Sequence, residues 1–511
     1  MSAPSASAAD SAVVLDLADE AATAALAADI AAALKPGDVV ALSGGLGAGK
    51  TTLARALIRA LADDAFLEVP SPTFTLVQTY ATPRLTVAHF DLYRIAADEE
   101  LDEIGLADAA GEGAVLVEWP ERAGDRLPAG RLEVALEIVG RGRRATITAG
   151  EGTPQSAPGG ALPMMQRLAR SLAARRFLDA AGWQGASRHH LKGDASTRTY
   201  ERVRAAERTA VLMDWPPRGQ LTAGDPRAAF RARDAGAFVA VDLALESAGL
   251  SVPEIYAADV AAGFLLLEDF GSESIAVEGV PDVARYRATL DALAAVHAAA
   301  RPAALPLPGG GVHALPSLAG ELLLAEVGIF ADFYAPFVRG APLPAGVRAE
   351  LMAMWRPLGD FLARAEQSWV LFDVQSPNLF WLPEREGIAR VGFIDFQDMF
   401  AGPAAYDVAA VCQDARVTIP PGMEDDLVAH YVALRRQAAP GFDADSFRAA
   451  FAVSAALRVA KNMGAFARLA GLGNLNYVSH LSRARGYLAR ALSHPVLSPF
   501  ALWYEKHLPP Q

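Results

Sequence analysis

The stretch Gly44-Gly45-Leu46-Gly47-Ala48-Gly49-Lys50-Thr51 decides the fold of the first part of the chain. It matches in full the glycine-rich pattern that cradles phosphate groups and ends in a lysine and a hydroxyl side chain. The apolar run at 38–43 predicts a buried strand before it, and the apolar stripe at 51–61 predicts a helix after it. In that context the glycines let backbone N–H groups face phosphate oxygens at the positive end of the helix dipole. We therefore predict a nucleotide-binding P-loop.

Helix and strand signals alternate along this part of the chain. Residues 19–34 are rich in alanine and carry an apolar stripe, which predicts an amphipathic helix. Residues 74–80, 85–90 and 115–119 are short apolar runs that predict strands. Such alternation favours an α/β fold with a largely parallel sheet.

A P-loop needs an acidic side chain that helps to hold Mg²⁺ and to place the attacking water. Lys50 can reach the β- and γ-phosphates, and the Thr51 hydroxyl can bind Mg²⁺. Asp91 and Glu118 each end a predicted strand, where carboxyl ends of parallel strands face the loop, so either could be the acidic group. The residues expected to contact the nucleotide are Gly44, Gly47, Gly49, Lys50, Thr51 and Thr52.

Four phrases that follow the P-loop carry a family resemblance. They are Ser71-Pro72-Thr73-Phe74-Thr75-Leu76, His89-Phe90-Asp91-Leu92-Tyr93-Arg94, Gly105-Leu106-Ala107-Asp108 and Val117-Glu118-Trp119-Pro120-Glu121-Arg122. With the P-loop, this set resembles the TsaE family, the ATPases of the bacterial tRNA threonylcarbamoyladenosine pathway. The similarity extends over about residues 14–146.

The TsaE resemblance implies roles for several of these residues. Thr51 and Glu118 become the Mg²⁺ ligands, Asp91 becomes catalytic, and the segment 71–75 becomes a nucleotide-sensing switch. The resemblance also implies TsaD and TsaB as protein partners in the modification of adenosine 37 of tRNA. In that scheme ATP hydrolysis resets the complex, and tRNA is met only indirectly.

The composition changes between the two halves of the chain. Residues 148–163 are mostly small, polar or turn-forming and show no apolar period, which predicts a flexible linker. We therefore expect a P-loop domain at 1–147, a linker at 148–163 and a second domain at 164–511.

The second domain begins with strand-like pieces and continues as helices. Residues 164–182 predict a helix, and the apolar runs at 200–203, 210–213 and 264–268 predict strands. From Pro281 onward helical patterns dominate. This order fits a two-lobed α+β architecture.

A second set of polar residues follows two apolar runs in this domain. Asp373 and Asn378 come after the run 369–371, and Asp395 comes after the run 391–394. This order and spacing are typical of kinases, in which the first aspartate orients or deprotonates the acceptor hydroxyl. The asparagine and the later aspartate hold the metal ions that bridge the nucleotide phosphates. We predict Asp373 as catalytic and Asn378 and Asp395 as Mg²⁺ ligands.

Longer phrases around this set resemble the aminoglycoside phosphotransferase superfamily, whose fold is protein-kinase-like. They are Gly402-Pro403-Ala404-Ala405-Tyr406-Asp407-Val408-Ala409 and Leu265-Leu266-Leu267-Glu268-Asp269. Two more, Val211-Leu212-Met213-Asp214-Trp215-Pro216-Pro217 and Gly464-Ala465-Phe466-Ala467-Arg468-Leu469, are similar to the anomeric kinases for N-acetylmuramate and N-acetylglucosamine of cell-wall recycling. The similarity extends over about residues 164–505.

This second resemblance implies that the segment 192–198 covers the ATP phosphates, with Lys192 and Ser196 as nucleotide-binding residues. Asp407 is expected to satisfy backbone groups, and Asp398 is left open between a structural and a catalytic role. The chain departs from the superfamily pattern at four positions, Leu371, Phe372, Gln375 and Met213. Met213 stands where a strand lysine commonly pairs with phosphates, so phosphate binding is weakened unless Lys192, Arg198 or another cation substitutes.

Three functions of the second domain remain open at this point. It is a sugar kinase that makes a sugar 1-phosphate, an antibiotic-modifying kinase, or a regulatory or scaffold module without turnover. An aminoglycoside is a polycation, so its pocket should be rich in aspartate and glutamate, whereas an amino sugar needs mainly neutral donors and acceptors.

Bulk properties limit the location and the partners of the chain. A net charge of −13 and a pI near 5.3 disfavour extensive nucleic-acid wrapping. The single cysteine, Cys412, allows no internal disulfide and is expected to be a small core residue. No long apolar run indicates a membrane span, so we expect a cytoplasmic protein.

Overall fold

The computed structural model describes residues 12–95, 99–150, 162–191, 198–216, 230–232 and 234–508. Its internal contacts divide the chain into two compact units, Met1–Asp214 and Trp215–Gln511. The sequence-based limits at 147 and 164 stay a prediction. Most of the predicted linker, residues 151–161, lies outside the described residues, and its first residues belong to a strand that ends at Ala149.

The first unit contains helices and strands in mixed order. In chain order they are β1 (Val13–Leu17), α1 (Glu20–Ala33), β2 (Val39–Ser43), α2 (Lys50–Ala62), β3 (Val77–Ala81), β4 (Thr86–Asp91), α3 (Glu99–Glu103), α4 (Leu106–Glu112), β5 (Ala114–Glu118), β6 (Leu132–Val139), β7 (Gly142–Ala149), α5 (Met164–Ala180), β8 (Ser187–Leu191), β9 (Thr199–Ala205) and β10 (Arg208–Asp214).

Seven of these strands form one sheet in the order β1-β7-β6-β2-β5-β4-β3. The central pairs β6–β2, β2–β5 and β5–β4 are parallel, and the outer pairs β1–β7, β7–β6 and β4–β3 are antiparallel. The predicted α/β class is therefore confirmed, but the sheet is mixed rather than largely parallel, because its outer pairs are antiparallel. The carboxyl ends of β2, β4 and β5 lie side by side, which brings three chemically active segments together.

The sheet of this unit is buried on both faces. One apolar cluster joins the side chains of α1 and α2 to one face, and a second cluster packs α4 and its neighbours on the other. The strand β5 is buried along its whole length. Burial on both sides explains why β2 and β5 read as continuous apolar runs rather than as alternating ones.

The strand predicted at 74–80 begins only at Val77. The side chains of Ser71 and Thr73 donate hydrogen bonds to Asp91, and the N–H of Leu76 donates to Pro72 O at 2.6 Å. These contacts hold residues 71–75 in turns, and backbone pairing with β4 begins only at Leu76, whose carbonyl oxygen accepts from the N–H of Asp91 at 3.0 Å.

Helix α5 packs on the same core as α1, to which it is also joined by charge. Arg175 Nε donates to Asp29 Oδ2 at 2.6 Å, and Arg188 Nη1 of β8 donates to Asp29 Oδ1 at 2.8 Å. Burial raises the pKa of Asp29, and these arginines only partly offset it. Strands β8, β9 and β10 form consecutive antiparallel pairs.

The second unit is mainly helical. Its elements are α6 (Ala235–Ser247), β11 (Ile255–Asp259), β12 (Phe264–Leu267), β13 (Ala276–Val277), β14 (Val280–Pro281), α7 (Val283–His297), β15 (Ala304–Pro306), β16 (Val312–Ala314), α8 (Gly320–Ile329), α9 (Ala335–Arg339), α10 (Ala345–Arg364), β17 (Gln367–Val370), β18 (Leu379–Trp381), β19 (Val391–Phe393), β20 (Phe400–Pro403), α11 (Ala405–Cys412), α12 (Pro421–Ala438), α13 (Ala444–Gly471), α14 (Ser479–Leu492) and α15 (Ser498–His507). The strand-to-helix order predicted for the second domain is confirmed.

The long helix α13 is the centre of this unit. Most of its side chains are buried, and it contacts α8, α10, α11 and α14. Cys412 at the end of α11 is buried, and burial raises the pKa of its thiol, in agreement with a core role. Within the part of the chain that the structure describes, no helix combines the length and apolarity that a membrane crossing requires.

Gly464 in α13 allows a close approach of α8. A Cβ atom at Gly464 would lie 2.4 Å from the backbone oxygen of Ile329 and 2.6 Å from its carbonyl carbon. Real Cβ atoms do not approach backbone that closely, so the two helices can touch only through a glycine.

We predict that Gly464→Ala destabilises the second unit by about 1–3 kcal/mol, because the helices must move apart. Differential scanning calorimetry of the full chain measures this. The matched control is Gly471→Ala in the same helix, where an added Cβ meets nothing within 4 Å. We expect that control to leave stability unchanged or slightly higher. Equal unfolding temperatures for the two variants contradict the packing described here.

Candidate active sites

The P-loop lies between β2 and α2, as predicted. Gly44 has φ 136°, and a Cβ there would lie 2.4 Å from the backbone oxygen of Leu136. Gly49 precedes α2 with φ 107°. Both positions lie in the left-handed region that favours glycine, so these residues are required by the loop's path.

Lys50 lies against the glycine turn. Its Nζ donates to Gly44 O at 2.7 Å and to Gly45 O at 3.1 Å, and it lies 3.6 Å from the ring centroid of Trp119. Burial lowers the pKa of Lys50, while the negative charge of Glu118 acts in the opposite direction. The lysine therefore already stands where phosphate oxygens would meet the loop.

Glu118 joins the P-loop helix to the end of β5. Its Oε2 accepts a hydrogen bond from Thr51 Oγ1 at 2.9 Å, and its Oε1 lies 3.0 Å from Nε2 of His89. Glu118 and His89 are 2% and 0% exposed. A hydroxyl and a carboxylate oxygen side by side are the hard donors that Mg²⁺ prefers, so Thr51 and Glu118 fit the predicted ion.

Asp91 ends β4 beside Glu118 and binds the segment 71–73. Its Oδ2 accepts from Thr73 Oγ1 at 2.5 Å and from Ser71 Oγ at 3.3 Å, and its Oδ1 accepts from the N–H of Tyr93 at 3.0 Å. The sequence left Asp91 and Glu118 as alternatives for one role. The structure places both beside the loop, with Glu118 on Thr51 and Asp91 on the hydroxyl segment.

A cavity of about 380 Å³ opens over these residues. Its wall includes the aromatic side chains of Tyr93 and Trp119, whose ring centroids lie 5.0 Å apart. The wall is completed by Leu46, Gly47, Gly49, Lys50, Thr51, Thr52, Ser71, Thr73, Asp91 and Glu118. The predicted first-site residues other than Gly44 thus line one cavity, and Gly44 bonds to Lys50 beneath it.

In the second unit, the backbone turns sharply just before Asp373. Phe372 has φ 76°, and the N–H of Asp373 donates to Leu371 O at 3.0 Å across it. This is the strained form of the γ-turn, which is rare for a bulky residue.

Buried Asp407 holds that turn. Its Oδ2 accepts from the N–H of Leu371 at 2.6 Å and its Oδ1 from the N–H of Phe372 at 3.0 Å. Burial raises the pKa of Asp407 to about 7, and the two N–H donors act against that rise. Asp407 therefore satisfies backbone groups, as the sequence indicated.

Asp373, Asn378 and the strand that carries Asp395 converge. Asn378 Nδ2 donates to the backbone oxygen of Asp373 at 2.9 Å, and the N–H of Ile394 donates to Asn378 O at 3.1 Å. Asp395 follows directly with φ 62°, and its Oδ1 accepts from Gln397 Nε2 at 3.0 Å. Because the Asn378 amide nitrogen is engaged, its oxygen is the atom left to face a cation. An amide oxygen and a carboxylate fit a magnesium ion.

In the described part of the chain, three cations act on the predicted base. Lys461 Nζ of α13 lies 3.6 Å from Asp373 Oδ1, and Arg231 and Arg458 act on it from farther away. Burial alone would raise the pKa of Asp373, but these cations outweigh it and hold the pKa below its ordinary value. Asp373 is therefore an ionised carboxylate at neutral pH.

Asp398 lies on the other side of Arg231. Its Oδ2 accepts from Arg231 Nη1 at 3.0 Å and its Oδ1 accepts from the N–H of Ala232 at 2.7 Å. Both oxygens are thus engaged in holding this segment, which favours the structural reading of the two that the sequence left open.

Several supporting residues were missed by the sequence reasoning. Buried Asp414 accepts hydrogen bonds from the N–H of Ser376 at 2.7 Å and from Tyr286 Oη at 2.9 Å, which fixes the loop before Asn378. These contacts could not be predicted, because Asp414 is far from Ser376 and Tyr286 in the sequence. His89 had a signal, since it lies two positions before Asp91 on the same strand. Lys461 also had a signal, since it and Arg458 are basic residues in a mostly apolar stretch of helix.

Two predicted nucleotide-binding residues, Lys192 and Ser196, lie outside the described residues. Met213 is described and is fully buried in β10, so it offers neither charge nor access to a phosphate. That Met213 stands in place of the superfamily's strand lysine stays an expectation from the resemblance.

The geometry defines two classes of protein in one chain, a P-loop ATPase and a kinase-like phosphotransferase. The family model of threonylcarbamoyl adenosine biosynthesis protein TsaE matches residues 17–146, and that of the phosphotransferase enzyme family matches residues 189–441. The chain belongs to the TsaE family over its first part and to the phosphotransferase enzyme family over its second, where it is similar to N-acetylmuramate/N-acetylglucosamine kinases.

Three relatives illustrate this membership. An N-acetylmuramate/N-acetylglucosamine kinase of Caulobacter vibrioides is 34% identical over 66% of this chain and 97% of its own length. The corresponding kinase of Pseudomonas aeruginosa is 31% identical over 44% of this chain and 60% of its own. The tRNA threonylcarbamoyladenosine biosynthesis protein TsaE of Rickettsia felis is 40% identical over 26% of this chain and 76% of its own. Both resemblances noted from the sequence are confirmed.

We predict that Asp407→Asn lowers the stability of the second unit by about 1–3 kcal/mol, because an amide leaves one backbone N–H facing another donor. Phosphotransferase activity should fall with it, since the turn before Asp373 loosens. Calorimetry and an assay of ATP-dependent phosphorylation measure both effects.

The matched control for this change is Asp426→Asn, an exposed aspartate on α12. It should leave both quantities unchanged. An Asp407→Asn chain with the wild-type unfolding temperature and full activity would show that the turn does not depend on this carboxylate.

Proposed function

We propose that the chain carries two activities. The first is an ATPase that supports the formation of threonylcarbamoyladenosine at position 37 of tRNA. The second is an ATP-dependent kinase that phosphorylates the anomeric hydroxyl of N-acetylmuramate or N-acetylglucosamine in cell-wall recycling. The observation that carries the kinase proposal is the strained turn that presents ionised Asp373 beside Asn378 and Asp395.

In the kinase reaction, Asp373 binds the acceptor hydroxyl and takes its proton as the oxygen attacks the γ-phosphorus of ATP. The bond from that phosphorus to the bridging oxygen breaks, and ADP leaves with the electron pair. Mg²⁺ held by Asn378 and Asp395 would supply charge neutralisation for the phosphates. Because phosphoryl transfer depends on position and charge, the fixed turn and loop contacts are what this chain contributes.

The charge around Asp373 favours an amino sugar over an aminoglycoside. Lys461, Arg231 and Arg458 all act on this carboxylate. Arg231 is itself paired with Asp398 and lies near Glu326, so Lys461 and Arg458 are the cations left to act on Asp373. A polycationic antibiotic would meet these two cations beside the predicted base, whereas a neutral sugar or one with a carboxylate would not be repelled by them.

The backbone argues for turnover rather than for a scaffold role. Phe372 and Asp395 both have positive φ, next to or at the predicted catalytic and metal-binding residues. Each such position costs about 1–3 kcal/mol and persists where function requires it. Because such strain clusters at active sites, ligand clamps and switch regions, its place at these two residues supports a functional site here.

The ATPase proposal rests on the contacts of Thr51, Glu118 and Asp91. Thr51 and Glu118 offer adjacent oxygens for the ion, and Asp91 binds the hydroxyls of Ser71 and Thr73. A nucleotide that alters these contacts would release or hold the segment 71–75, which suits a switch read by TsaD- and TsaB-like partners. The acidic net charge fits a protein that meets tRNA only through such partners, in the cytoplasm.

We predict that Asp373→Asn lowers the rate of sugar 1-phosphate formation by about 10²–10⁴-fold, because the amide cannot accept the proton. Phosphorus NMR of the full chain with ATP, N-acetylmuramate, N-acetylglucosamine and an aminoglycoside identifies the product. The control is Asp360→Asn, an exposed aspartate on α10.

ATP hydrolysis without sugar provides the reciprocal test. Asp373→Asn should leave this hydrolysis unchanged, whereas Lys50→Ala should remove it and leave sugar phosphorylation intact. Phosphorylation of the aminoglycoside alone would replace the sugar-kinase proposal by the antibiotic one. Equal sugar phosphorylation before and after Asp373→Asn would contradict the role of this residue.

A further inference from the structure

Among the residues that the structure describes, the ammonium group of Lys461 is the cation closest to the predicted base. Lys461 belongs to α13 and follows Asp373 by 88 positions in the chain. Its side chain is 9% exposed. Its Nζ lies 3.6 Å from Asp373 Oδ1, beyond the usual range of about 2.7–3.2 Å for a hydrogen bond. Lys461 thus lies beside Asp373 without forming a direct hydrogen bond to its carboxylate.

The aromatic ring of Phe372 fixes where this lysine can point. Lys461 Nζ lies 4.2 Å from the ring centroid, and Tyr406 stacks on the same ring at 5.2 Å with an interplanar angle of 3°. Because Asp407 holds the backbone of Phe372, the ring and the lysine are placed by the same turn that presents Asp373.

Other charged groups close to Lys461 are already engaged or more distant. Arg231 pairs with Asp398 at 3.0 Å, and Arg458 Nη1 donates to Gln413 O at 3.0 Å. Glu326 is buried, and its nearest ion-pair partner among the described residues is Arg231 at 3.9 Å. Lys461 is the one of these three cations within 4 Å of Asp373 in the described part of the chain.

Phosphoryl transfer needs a cation on the transferred group, and the chain lacks the strand lysine at Met213. That position is fully buried and apolar. An ammonium group beside the base can donate to the equatorial oxygens of the phosphoryl group as negative charge spreads over them.

We propose that Lys461 is a catalytic residue of the kinase reaction, which donates hydrogen bonds to the transferred phosphoryl group beside Asp373. This role rests on the proposed sugar-kinase function. As the acceptor oxygen bonds to phosphorus and the bond to ADP breaks, the acceptor proton goes to Asp373. Lys461 keeps its protons throughout and stabilises the charge on the phosphoryl oxygens.

A second role for the same lysine predicts a different outcome. If Lys461 served only to keep Asp373 ionised, its removal would raise the pKa of that carboxyl, because burial would be less opposed. Activity would then be lost at low pH and recovered once the pH exceeds the raised pKa. A residue that touches the phosphoryl group is needed at every pH.

The test compares Lys461→Met and Lys461→Arg with the control Lys506→Met, an exposed lysine on α15. In the full chain, kcat and KM for ATP and N-acetylglucosamine are measured from about pH 6 to pH 9, where ordinary carboxyl groups are ionised. We expect Lys461→Met to lower kcat by about 10²–10³-fold across this range, with KM for the sugar little changed. Lys461→Arg should restore part of the rate, and Lys506→Met should match the wild type.

Other results would contradict either the role of Lys461 or the proposed kinase function. A Lys461→Met rate within twofold of the wild type, or full recovery at high pH, contradicts a contact with the phosphoryl group. A wild-type chain that forms no sugar 1-phosphate contradicts the proposed kinase function instead. If calorimetry shows that Lys461→Met is unfolded, Lys461→Gln, which keeps a polar end without charge, becomes the deciding variant.

Discussion

The kinase site depends on one buried carboxylate that accepts two adjacent backbone N–H groups. Asp407 holds Leu371 and Phe372 in a turn that the chain would otherwise avoid. That turn presents Asp373 and positions the Phe372 ring, which Lys461 Nζ contacts. It also begins the loop in which the Asn378 side chain donates a hydrogen bond to the backbone oxygen of Asp373. Two short hydrogen bonds in a water-poor interior thus offset the strain and fix several functional groups at once.

In the ATPase site, too, hydrogen bonds orient the carboxylates, but here they come from side-chain hydroxyl groups. Glu118 and Asp91 end neighbouring parallel strands, and hydrogen bonds from Thr51, Thr73 and Ser71 orient their oxygens. In both sites a strand end or a turn places the carboxylate, and neighbouring polar groups orient its oxygens. The charges needed for phosphate chemistry are therefore fixed before any ligand arrives, which lowers the reorganisation that catalysis requires.

What the sequence predicted well is what is encoded within a few neighbouring residues. Three local patterns were predicted: the P-loop, the strand that ends at Glu118, and the order Asp373, Asn378, Asp395. In the structure, Glu118 lies beside the P-loop, and Asn378 contacts Asp373. The start of β3 was missed because side-chain contacts from Asp91 compete with strand pairing. Asp414 was missed because its role arises from contacts between distant segments, which periodicity and spacing do not report. His89 and Lys461 carried a signal in the sequence, but only their contacts in the structure show what they bind.

If the chain holds two separate phosphate-binding centres, it binds two nucleotides, and the number of bound nucleotides can be measured. Isothermal titration of the full chain with a non-hydrolysable ATP analogue and Mg²⁺ gives that number. The account predicts two equivalents per chain, which differ in affinity because one centre has a complete P-loop and the other lacks the strand lysine. A single equivalent would contradict it.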